Sequence, residues 1–340
     1  MNDFLDDVAD ADTIEQLRAT NRRLAHQLAA REHTQSEQAA ALLQGMRDAF
    51  SVISIPPVPP PPKRGKNRNK DVGILLLSDW QLGKVTSSYD SGTVAERIGR
   101  LLTIVDVLVD ERRQARALDR IAICLAGDVV EGELVFPGQA HLIDASLYRQ
   151  VVTGAEIIAE VVRWASSRFP KVEVHSVYGN HGFLAGRQRR EMHPESNADT
   201  FASWGAELAT KGLPNVTWNV ALDWHTIIDL GDKCRFLMVH GHQVKGWAGI
   251  PWYGWARKVL GWGSLDRIWD GFDFDHVLAG HFHTPTSMYL NGRRVWINAS
   301  TESHNAYAAE NLAAAGEPAQ WFLVATPGKG VTAEHLISLT

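Results

Sequence analysis

Several short apolar stretches of the sequence end in residues that bind divalent metals. Carboxylate, amide and imidazole groups together suit manganese, iron or zinc better than calcium, which prefers oxygen ligands alone. Because the carboxyl ends of strands in an open α/β sheet border one crevice, residues that are far apart in sequence can meet there. The sequence therefore predicts one metal site, built from residues directly after predicted strands: Asp79, Asp128, Asn180, His181, His240, His281 and His283.

Each of these residues has an ordinary structural explanation when it is taken singly. An aspartate after a strand commonly caps a helix or closes a turn, and a buried histidine is commonly hydrogen-bonded within the core. The order of the motifs argues against coincidence, since D-x-Q, G-D, G-N-H, H-G-H and G-H-x-H each follow a predicted strand. We therefore interpret the set as one constellation.

This order of motifs resembles that of the calcineurin-like metallophosphoesterase superfamily, in which D-x-H, G-D, G-N-H-[D/E], H and G-H-x-H follow one another. The resemblance covers residues 72–326. Within the superfamily, the segments SDWQLGK, GDVVEGE, YGNHG, MVHGHQVKG and AGHFH are most similar to phosphoesterases of tailed bacteriophages and prophages, which are related to double-strand-break repair nucleases. The resemblance implies a two-metal hydrolase of phosphoester bonds.

The resemblance also implies a role for each residue of the constellation. Two cations about 4 Å apart can activate a shared water and neutralise charge on the attacking and leaving oxygens. Asp128 and His181 would be the catalytic residues, with His181 stabilising or protonating the leaving oxygen. Manganese is the first choice of metal, with iron, zinc and magnesium as alternatives. One ion would take Asp79, Gln81, Asp128 and His283, and the other Asp128, Asn180, His240 and His281.

Two positions depart from the superfamily pattern. Gln81 stands where the superfamily has histidine, so the first metal would gain an amide oxygen or no ligand, and we expect it to bind weakly. Gly182 stands where many members have aspartate or glutamate, which removes one way of orienting His181, although phage-type members also carry glycine there. A non-catalytic protein with a degenerate metal site would also explain the glutamine.

Basic residues near the motifs are candidates for substrate binding. Arg187, Arg189 and Arg190 follow the GNHG turn, where guanidinium groups could bind phosphates in a bidentate way or form an exposed basic loop. His242, two residues after His240, could contact substrate or support the metal ligands.

The predicted helix SNADTFASWGAELA begins near two polar residues that we interpret as caps, with support of the metal site as the alternative. They are Asn197 and Asp199.

The stretch WAGIPWYGWARKVLGWG follows the MVHGH motif closely and is rich in aromatic residues. We expect it to line one wall of the cleft, since rings beside cations can stack on unpaired bases while the cations hold the phosphate backbone. A tryptophan-rich packing insertion or an oligomer contact is the alternative. Trp252 and Arg257 are the substrate-binding candidates in a set that also holds Trp247, Tyr253, Trp255, Lys258 and Trp262.

The alternation of strand-like and helical stretches predicts an α/β fold. VGILLLSD, the helix Thr93 to Ala117, IAICLAGD, the helix Leu142 to Ser167, and VEVHSVYGNH follow one another. After Asn215 the predicted strands lie closer together. We expect two packed mixed sheets flanked by helices, the four-layer sandwich that the resemblance implies, preceded by an N-terminal helix.

Composition predicts three regions: a helical segment at 1–54, a proline-rich and then basic linker at 55–70, and the main domain at 71–340. The proline run should be a stiff spacer, and the basic tract KRGKNRNK either a phosphate-binding tether or a solvated linker. The first region favours either a short coiled coil that forms a homodimer or a solvated helix. Its stripe, at spacings of three and four, is Ile14, Leu17, Asn21, Leu24 and Leu28.

The composition is that of an ordinary globular protein, with 45% hydrophobic and 21% charged residues. No apolar run approaches the roughly 18 to 20 residues that span a bilayer, and the acidic N-terminus lacks the basic start of a signal peptide. We therefore expect a cytoplasmic protein without membrane association. A net charge of −5 argues against general coating of nucleic acid, but not against local contacts with phosphates. Cys124 and Cys234 lie in apolar runs, as buried free thiols do.

Three functions fit these features. The first is a manganese-dependent nuclease or phosphodiesterase acting on DNA ends or single strands, which the aromatic stretch and the repair-type relatives favour. The second is a phosphatase or phosphodiesterase of small nucleotides or phosphoproteins, because the same metal centre hydrolyses all of these and a fold does not fix the substrate. The third is a non-catalytic scaffold in which the metal is structural and the N-terminal helix recruits partners.

Overall fold

A computed structural model describes residues 18–23, 58–61, 70–136, 138–184, 195–245, 250–302 and 316–340, with single positions 27, 41, 44, 45, 48 and 193. The chain divides into two compact units, Met1–Ala49 and Phe50–Thr340. In the first unit, residues 18–23 are helical and include Asn21. The basic tract at 63–69 lies outside the described residues, as do Ile14, Leu17, Leu24 and Leu28. Pairing of subunits through this segment stays a prediction.

Within the described residues, the second unit holds eleven strands and four α-helices. The strands are β1 (Lys70–Leu77), β2 (Ala117–Leu125), β3 (Lys171–Ser176), β4 (Val216–Val220), β5 (His225–Asp229), β6 (Arg235–Val239), β7 (His276–Ala279), β8 (Thr286–Leu290), β9 (Arg293–Ile297), β10 (Ala319–Thr326) and β11 (Gly330–Ser338). The helices are α1 (Ser91–Ala115), α2 (Leu147–Arg168), α3 (Ala198–Thr210) and α4 (Trp252–Trp262). None of the helices in the described part of the chain is long and apolar enough to cross a membrane.

The strands form two mixed sheets. The first has the order β11-β10-β1-β2-β3-β4, with β1 to β4 parallel and β10 and β11 antiparallel to their neighbours. The second has the order β5-β6-β7-β9-β8, with β6, β7 and β9 parallel. Parallel neighbours need crossover connections, which α1, α2 and α3 supply between β1 and β4. The predicted fold class is therefore confirmed.

The main core lies between the two sheets. Ile74 and Leu76 of β1 and Cys124 of β2 belong to one buried cluster with Phe236 and Met238 of β6. The spacing of two within each strand places these side chains on a single face, as strand geometry requires. A separate buried cluster joins α4 to the second sheet. Both sheets are thus closely packed, and the loops that hold the predicted ligands start from these packed strands.

The two long predicted helices are present with shifted starts. α1 begins at Ser91, where the Asp90 side chain accepts a hydrogen bond from the Thr93 amide. α2 was predicted to begin at Leu142, but it begins at Leu147. The residues in between pair with the loop after β1 instead, since the Leu142 carbonyl oxygen accepts from the Val85 amide at 3.1 Å and the Asp144 amide donates to the Gly83 carbonyl oxygen at 2.9 Å.

Candidate metal centre

The predicted metal ligands come together where strands of both sheets end. Cross-sheet contacts connect them, since His240 Nε2 of the second sheet lies 3.1 Å from Asp128 Oδ2 of the first sheet. Asn180 Oδ1 lies 3.1 Å from the same nitrogen. Strands β1, β2, β3, β6 and β7 position the set, which is Asp79, Gln81, Asp128, Asn180, His240, His281 and His283.

The backbone at these positions is turned into an unusual conformation. Among the described residues, seven that are not glycine have positive φ, and five of these are predicted ligands. They are Asp79 (φ 56°), Gln81 (44°), Asp128 (52°), His281 (73°) and His283 (53°). The left-handed conformation costs about 1–2 kcal/mol for a residue with a side chain. Strain that is concentrated on one set of side chains indicates a functional site.

Three of the ligands are already spaced for one cation. One donor atom each from Asp128, His240 and His281 lies within 4.8 Å of the others. The Asn180 amide oxygen adds a fourth donor, at 3.1 Å from His240 Nε2. Donors about 3 Å apart are what an ion with metal–ligand bonds of roughly 2.1 Å requires. These residues fit a divalent metal.

The histidine protonation states also suit a metal. His240 Nδ1 donates to the Ala126 carbonyl oxygen at 2.8 Å, which leaves Nε2 directed at Asp128. Burial lowers the pKa of His240, but Asp128 outweighs it and raises that pKa to about 9. Burial and then His240 hold the pKa of His281 well below its usual value, so this imidazole is neutral with a free lone pair. A cation would replace the proton shared by Asp128 and His240.

A protein-family model described as calcineurin-like phosphoesterase matches residues 73–285, which is more than half of the chain and includes every predicted ligand. The chain belongs to the calcineurin-like phosphoesterase family. It is accordingly a hydrolase of phosphoester bonds. A search of the curated proteins finds no match.

Solved structures with a similar fold include other phosphoesterases. An archaeal phosphodiesterase is 14% identical at a TM-score of 0.39, with 78% of this chain and 99% of that chain covered. A phosphoesterase from E. coli, Yfce, is 11% identical at a TM-score of 0.33, with 79% and 100% covered. A predicted phosphoesterase from Streptococcus pneumoniae is 13% identical at 0.33, with 79% and 98% covered. Identities this low describe a likeness of fold alone.

In this phosphoesterase, the residues predicted to bind the other metal also lie close together: Asp79, Gln81 and His283. His283 Nε2 lies 3.4 Å from Asp79 Oδ1 and 3.2 Å from Gln81 Nε2. The Gln81 amide oxygen accepts a hydrogen bond from Lys84 Nζ at 3.3 Å, and Lys84 is paired with Glu302 at 2.9 Å. The Lys84 ammonium group therefore competes with a cation for the amide oxygen, the atom of Gln81 that is suited to bind a metal. This competition supports the expectation that the first metal binds weakly.

Replacing Gln81 with histidine should tighten the binding of the first metal by about tenfold or more. Histidine tolerates the left-handed backbone at this position and offers an imidazole lone pair that does not need the oxygen held by Lys84. Calorimetric titration of the metal-free protein with manganese would measure both affinities. The gain should disappear when His283 is also replaced by alanine, and unchanged affinity in the single variant would refute the weak-site explanation.

Asp199 supports the ligand loops from below. Its buried carboxylate accepts four main-chain hydrogen bonds at 2.8 to 3.2 Å, from Asp128, Val129, Val130 and Gly179. Burial and then Asp128 raise the pKa of Asp199 to about 6. The capping prediction was right for Asn197, which accepts from the Asp199 amide at the start of α3, and wrong for Asp199. One carboxylate thus fixes the loops of two ligands.

His181 lies beside the metal ligands. Its Nε2 atom is 3.9 Å from Asp128 Oδ2, and its main-chain amide donates to Asp128 Oδ1 at 2.8 Å. Burial lowers the pKa of the imidazole, but Asp128 and then Glu131 outweigh it and raise that pKa to about 10. The imidazole is therefore protonated at neutral pH. A proton donor in this position can act on a leaving oxygen.

The predicted substrate-binding residues fall into three groups. His242 is partly buried, with its ring centroid 5.5 Å from that of His240 and 6.3 Å from that of His281. Trp252 and Arg257 are exposed on α4. The third group lies outside the described residues and comprises Arg187, Arg189, Arg190 and Trp247.

Three charged residues near the centre were not singled out from the sequence. Lys84 and Glu131 lie in the quoted motifs SDWQLGK and GDVVEGE, each three positions after a predicted ligand. A charged residue three positions after a predicted ligand could have been recognised from the sequence as a neighbour of the metal site. Glu302 carried no comparable signal, because it follows β9 in a segment without a motif.

Proposed function

We propose that this phosphoesterase is a manganese-dependent DNA nuclease that acts on single strands or unpaired ends. The observation that carries the proposal is an exposed aromatic and basic face on α4, the helix that packs against the loop of two metal ligands. Carboxylate, amide and imidazole donors without a thiolate support manganese as the metal. Both cysteines are buried free thiols and are not among these donors.

The helix α4 is anchored next to the metal ligands. The Trp255 ring packs edge-on against Phe282, with centroids 6.0 Å apart, and Phe282 lies between His281 and His283 in sequence. Trp262 contacts Trp255 at 6.3 Å, and both tryptophans are buried. These two rings therefore serve packing, and they hold the rest of α4 close to the centre.

The opposite face of α4 is open to solvent. Trp252 is 57% exposed and Tyr253 is 81% exposed, and Arg257 is exposed one turn further along. Stacking of an unpaired base on an aromatic ring is worth about 1–3 kcal/mol, and a neighbouring cation attracts the phosphate backbone. Large exposed rings are costly to leave in water, so their presence on the helix that packs against the ligand loop supports a substrate that carries bases.

The residues of the centre have distinct tasks in this proposal. When bound, divalent metals supply a polarised water and offset the charge of the phosphoryl group. Asp128, Asn180, His240 and His281 would hold one ion, and Asp79, Asp128 and His283 the other, with Gln81 a weak or absent ligand. His181 keeps a proton at Nε2 for the leaving oxygen, and the main-chain bond to Asp128 keeps its position fixed.

The test is cleavage of labelled single-stranded and double-stranded DNA of one sequence by the purified protein with added manganese. We expect cleavage of the single strand, none by Asp128→Ala, and a KM for the single strand that rises about tenfold in Trp252→Ala. Leu260→Ala is the matched control, because Leu260 is a 52% exposed apolar residue of the same helix that cannot stack on a base.

Hydrolysis of bis(p-nitrophenyl) phosphate separates the remaining explanations. If this ester is hydrolysed while neither DNA is cut, the nuclease proposal fails and small nucleotides or phosphoproteins become the leading substrates. If manganese binds but no ester is hydrolysed, the protein is a metal-binding scaffold.

A further inference from the structure

We propose that Glu131 is the positioning residue for His181, and that it takes the role of the acidic residue that is missing at position 182. The inference rests on the hydrolysis in the proposed function, but not on DNA as the substrate. Glu131 lies in the connection after β2, whereas His181 follows β3, so the contact between them is made by tertiary structure.

The two residues meet through one nitrogen of the imidazole. His181 Nδ1 lies 2.9 Å from the Glu131 main-chain oxygen and 3.3 Å from the Glu131 carboxylate Oε2. Nδ1 therefore carries a proton and donates it to Glu131. The ring cannot turn without losing these partners, and its other nitrogen, Nε2, is left directed at the Asp128 side of the centre.

Glu131 is itself held in place by contacts other than the one to His181. Its side chain is 2% exposed. The Gln139 amide nitrogen donates to Glu131 Oε1 and to the Glu131 main-chain oxygen, both at 2.9 Å, and Gln139 Oε1 accepts from the Val135 amide at 2.8 Å. A buried carboxylate is costly unless it has a partner. For Oε2, which has no hydrogen bond to any other described residue, that partner is His181.

Position 182 has no room for an acidic side chain. A Cβ atom on Gly182 would overlap Asn197 Oδ1 and lie 3.1 Å from the Asp199 amide nitrogen. Asn197 cannot give way, because it caps α3 and also donates to the Gly179 carbonyl oxygen at 3.1 Å. Glycine is therefore required at position 182 because the Asn197 side chain, which caps α3, packs directly against it. The carboxylate that positions His181 is instead that of Glu131, in the connection after β2.

The chemical step defines what Glu131 should affect. As the bond from phosphorus to the leaving oxygen breaks, that oxygen keeps the electron pair and takes the proton from His181 Nε2. The attacking water provides the new oxygen on phosphorus, and a proton from it restores the imidazolium. A good leaving group such as p-nitrophenolate needs little help from the proton, whereas phenolate needs more. The decrease in kcat caused by replacing Glu131 should therefore be larger for a substrate with a poor leaving group.

The test compares Glu131→Gln with Glu133→Gln on bis(p-nitrophenyl) phosphate and on diphenyl phosphate. For Glu131→Gln we expect kcat on diphenyl phosphate to fall about 10- to 100-fold, kcat on the nitrophenyl ester to fall less than about threefold, and KM and bound metal to stay unchanged. Glu133→Gln should match the wild type, because among the described residues the Glu133 side chain accepts one hydrogen bond, from the Leu147 amide, which glutamine can also accept. Equal losses on both esters, or loss of metal, would overturn the proposal.

Two further measurements remove dependence on one variant. On a His181→Asn background, Glu131→Gln should have little additional effect on kcat, whereas additive losses would mean that Glu131 acts without His181.

In the metal-free protein, proton–nitrogen NMR should show a slowly exchanging His181 Nδ1 proton that exchanges faster in Glu131→Gln and in Gln139→Ala. Unchanged exchange in both variants would overturn the proposal. If no ester is hydrolysed even by the wild type, the proposed function fails, and the NMR result still decides the pairing.

Discussion

Asp128→Ala is expected to lose bound metal and to reduce phosphodiester hydrolysis roughly a thousandfold or more. The Asp128 carboxylate lies 3.1 Å from His240 Nε2 and 3.9 Å from His181 Nε2, so it lies next to both a predicted metal ligand and the proposed proton donor. His240 and then His181 hold its pKa below the usual range although burial opposes this. The carboxylate is therefore ionised and ready to bind cations at neutral pH. Metal content and kcat/KM on one ester would be measured together.

The backbone at Asp128 calls for a second variant. With φ of 52°, alanine is strained at this position, so part of the effect of Asp128→Ala could come from the loop. Asparagine adopts this conformation more readily and keeps the side-chain shape. Asp128→Asn should therefore fold like the wild type and still lose most of its metal and activity. Asp223→Ala, at an exposed carboxylate, should change neither. Full metal content in both Asp128 variants would refute the proposed ligand.

His181→Ala is expected to keep its metals and to lose about 10²- to 10⁴-fold in kcat. The ligand side chains do not depend on the imidazole, and the main-chain bond from residue 181 to Asp128 Oδ1 survives the substitution. The loss should be larger for diphenyl phosphate than for bis(p-nitrophenyl) phosphate, since only the poor leaving group needs the proton. Steady-state kinetics with metal analysis of the same sample would separate binding from turnover.

His193→Ala is the matched control for this prediction. His193 lies in the same connection between β3 and α3, and its side chain is 67% exposed. Its loss should leave kcat within about twofold of the wild type. If His181→Ala also keeps its turnover, the imidazole is not the proton donor, and the positioning role of Glu131 falls with it.

The sequence by itself predicted the fold class and the set of residues that meet at the centre. It could do so because each motif is local: an apolar strand, a glycine in most cases, and a ligand directly after the strand end. Parallel strands bring such ends to one edge, so the convergence of Asp79, Asp128 and Asn180 follows from the strand pattern. The same reasoning located His240 and the His281–His283 pair in the second sheet.

Only the tertiary structure decided how the ligands are supported. Lys84 and Glu302 are 218 positions apart, and Asp199 and Asp128 are 71 apart, so no local pattern connects them. The start of α2 differs from the prediction for a similar reason, because Leu142 and Asp144 make main-chain hydrogen bonds to the distant loop after β1 instead of helical ones.

The chemistry of the centre depends on both local sequence and tertiary contacts. Local sequence specifies which atoms can bind a metal or carry a proton. Whether Gln81 is free to bind depends on an ammonium group that reaches it from Lys84, and whether His181 is oriented depends on Glu131, 50 positions earlier in the chain. Such contacts are set by the packing of loops between rigid sheets, and packing distances are not encoded in the spacing of any motif.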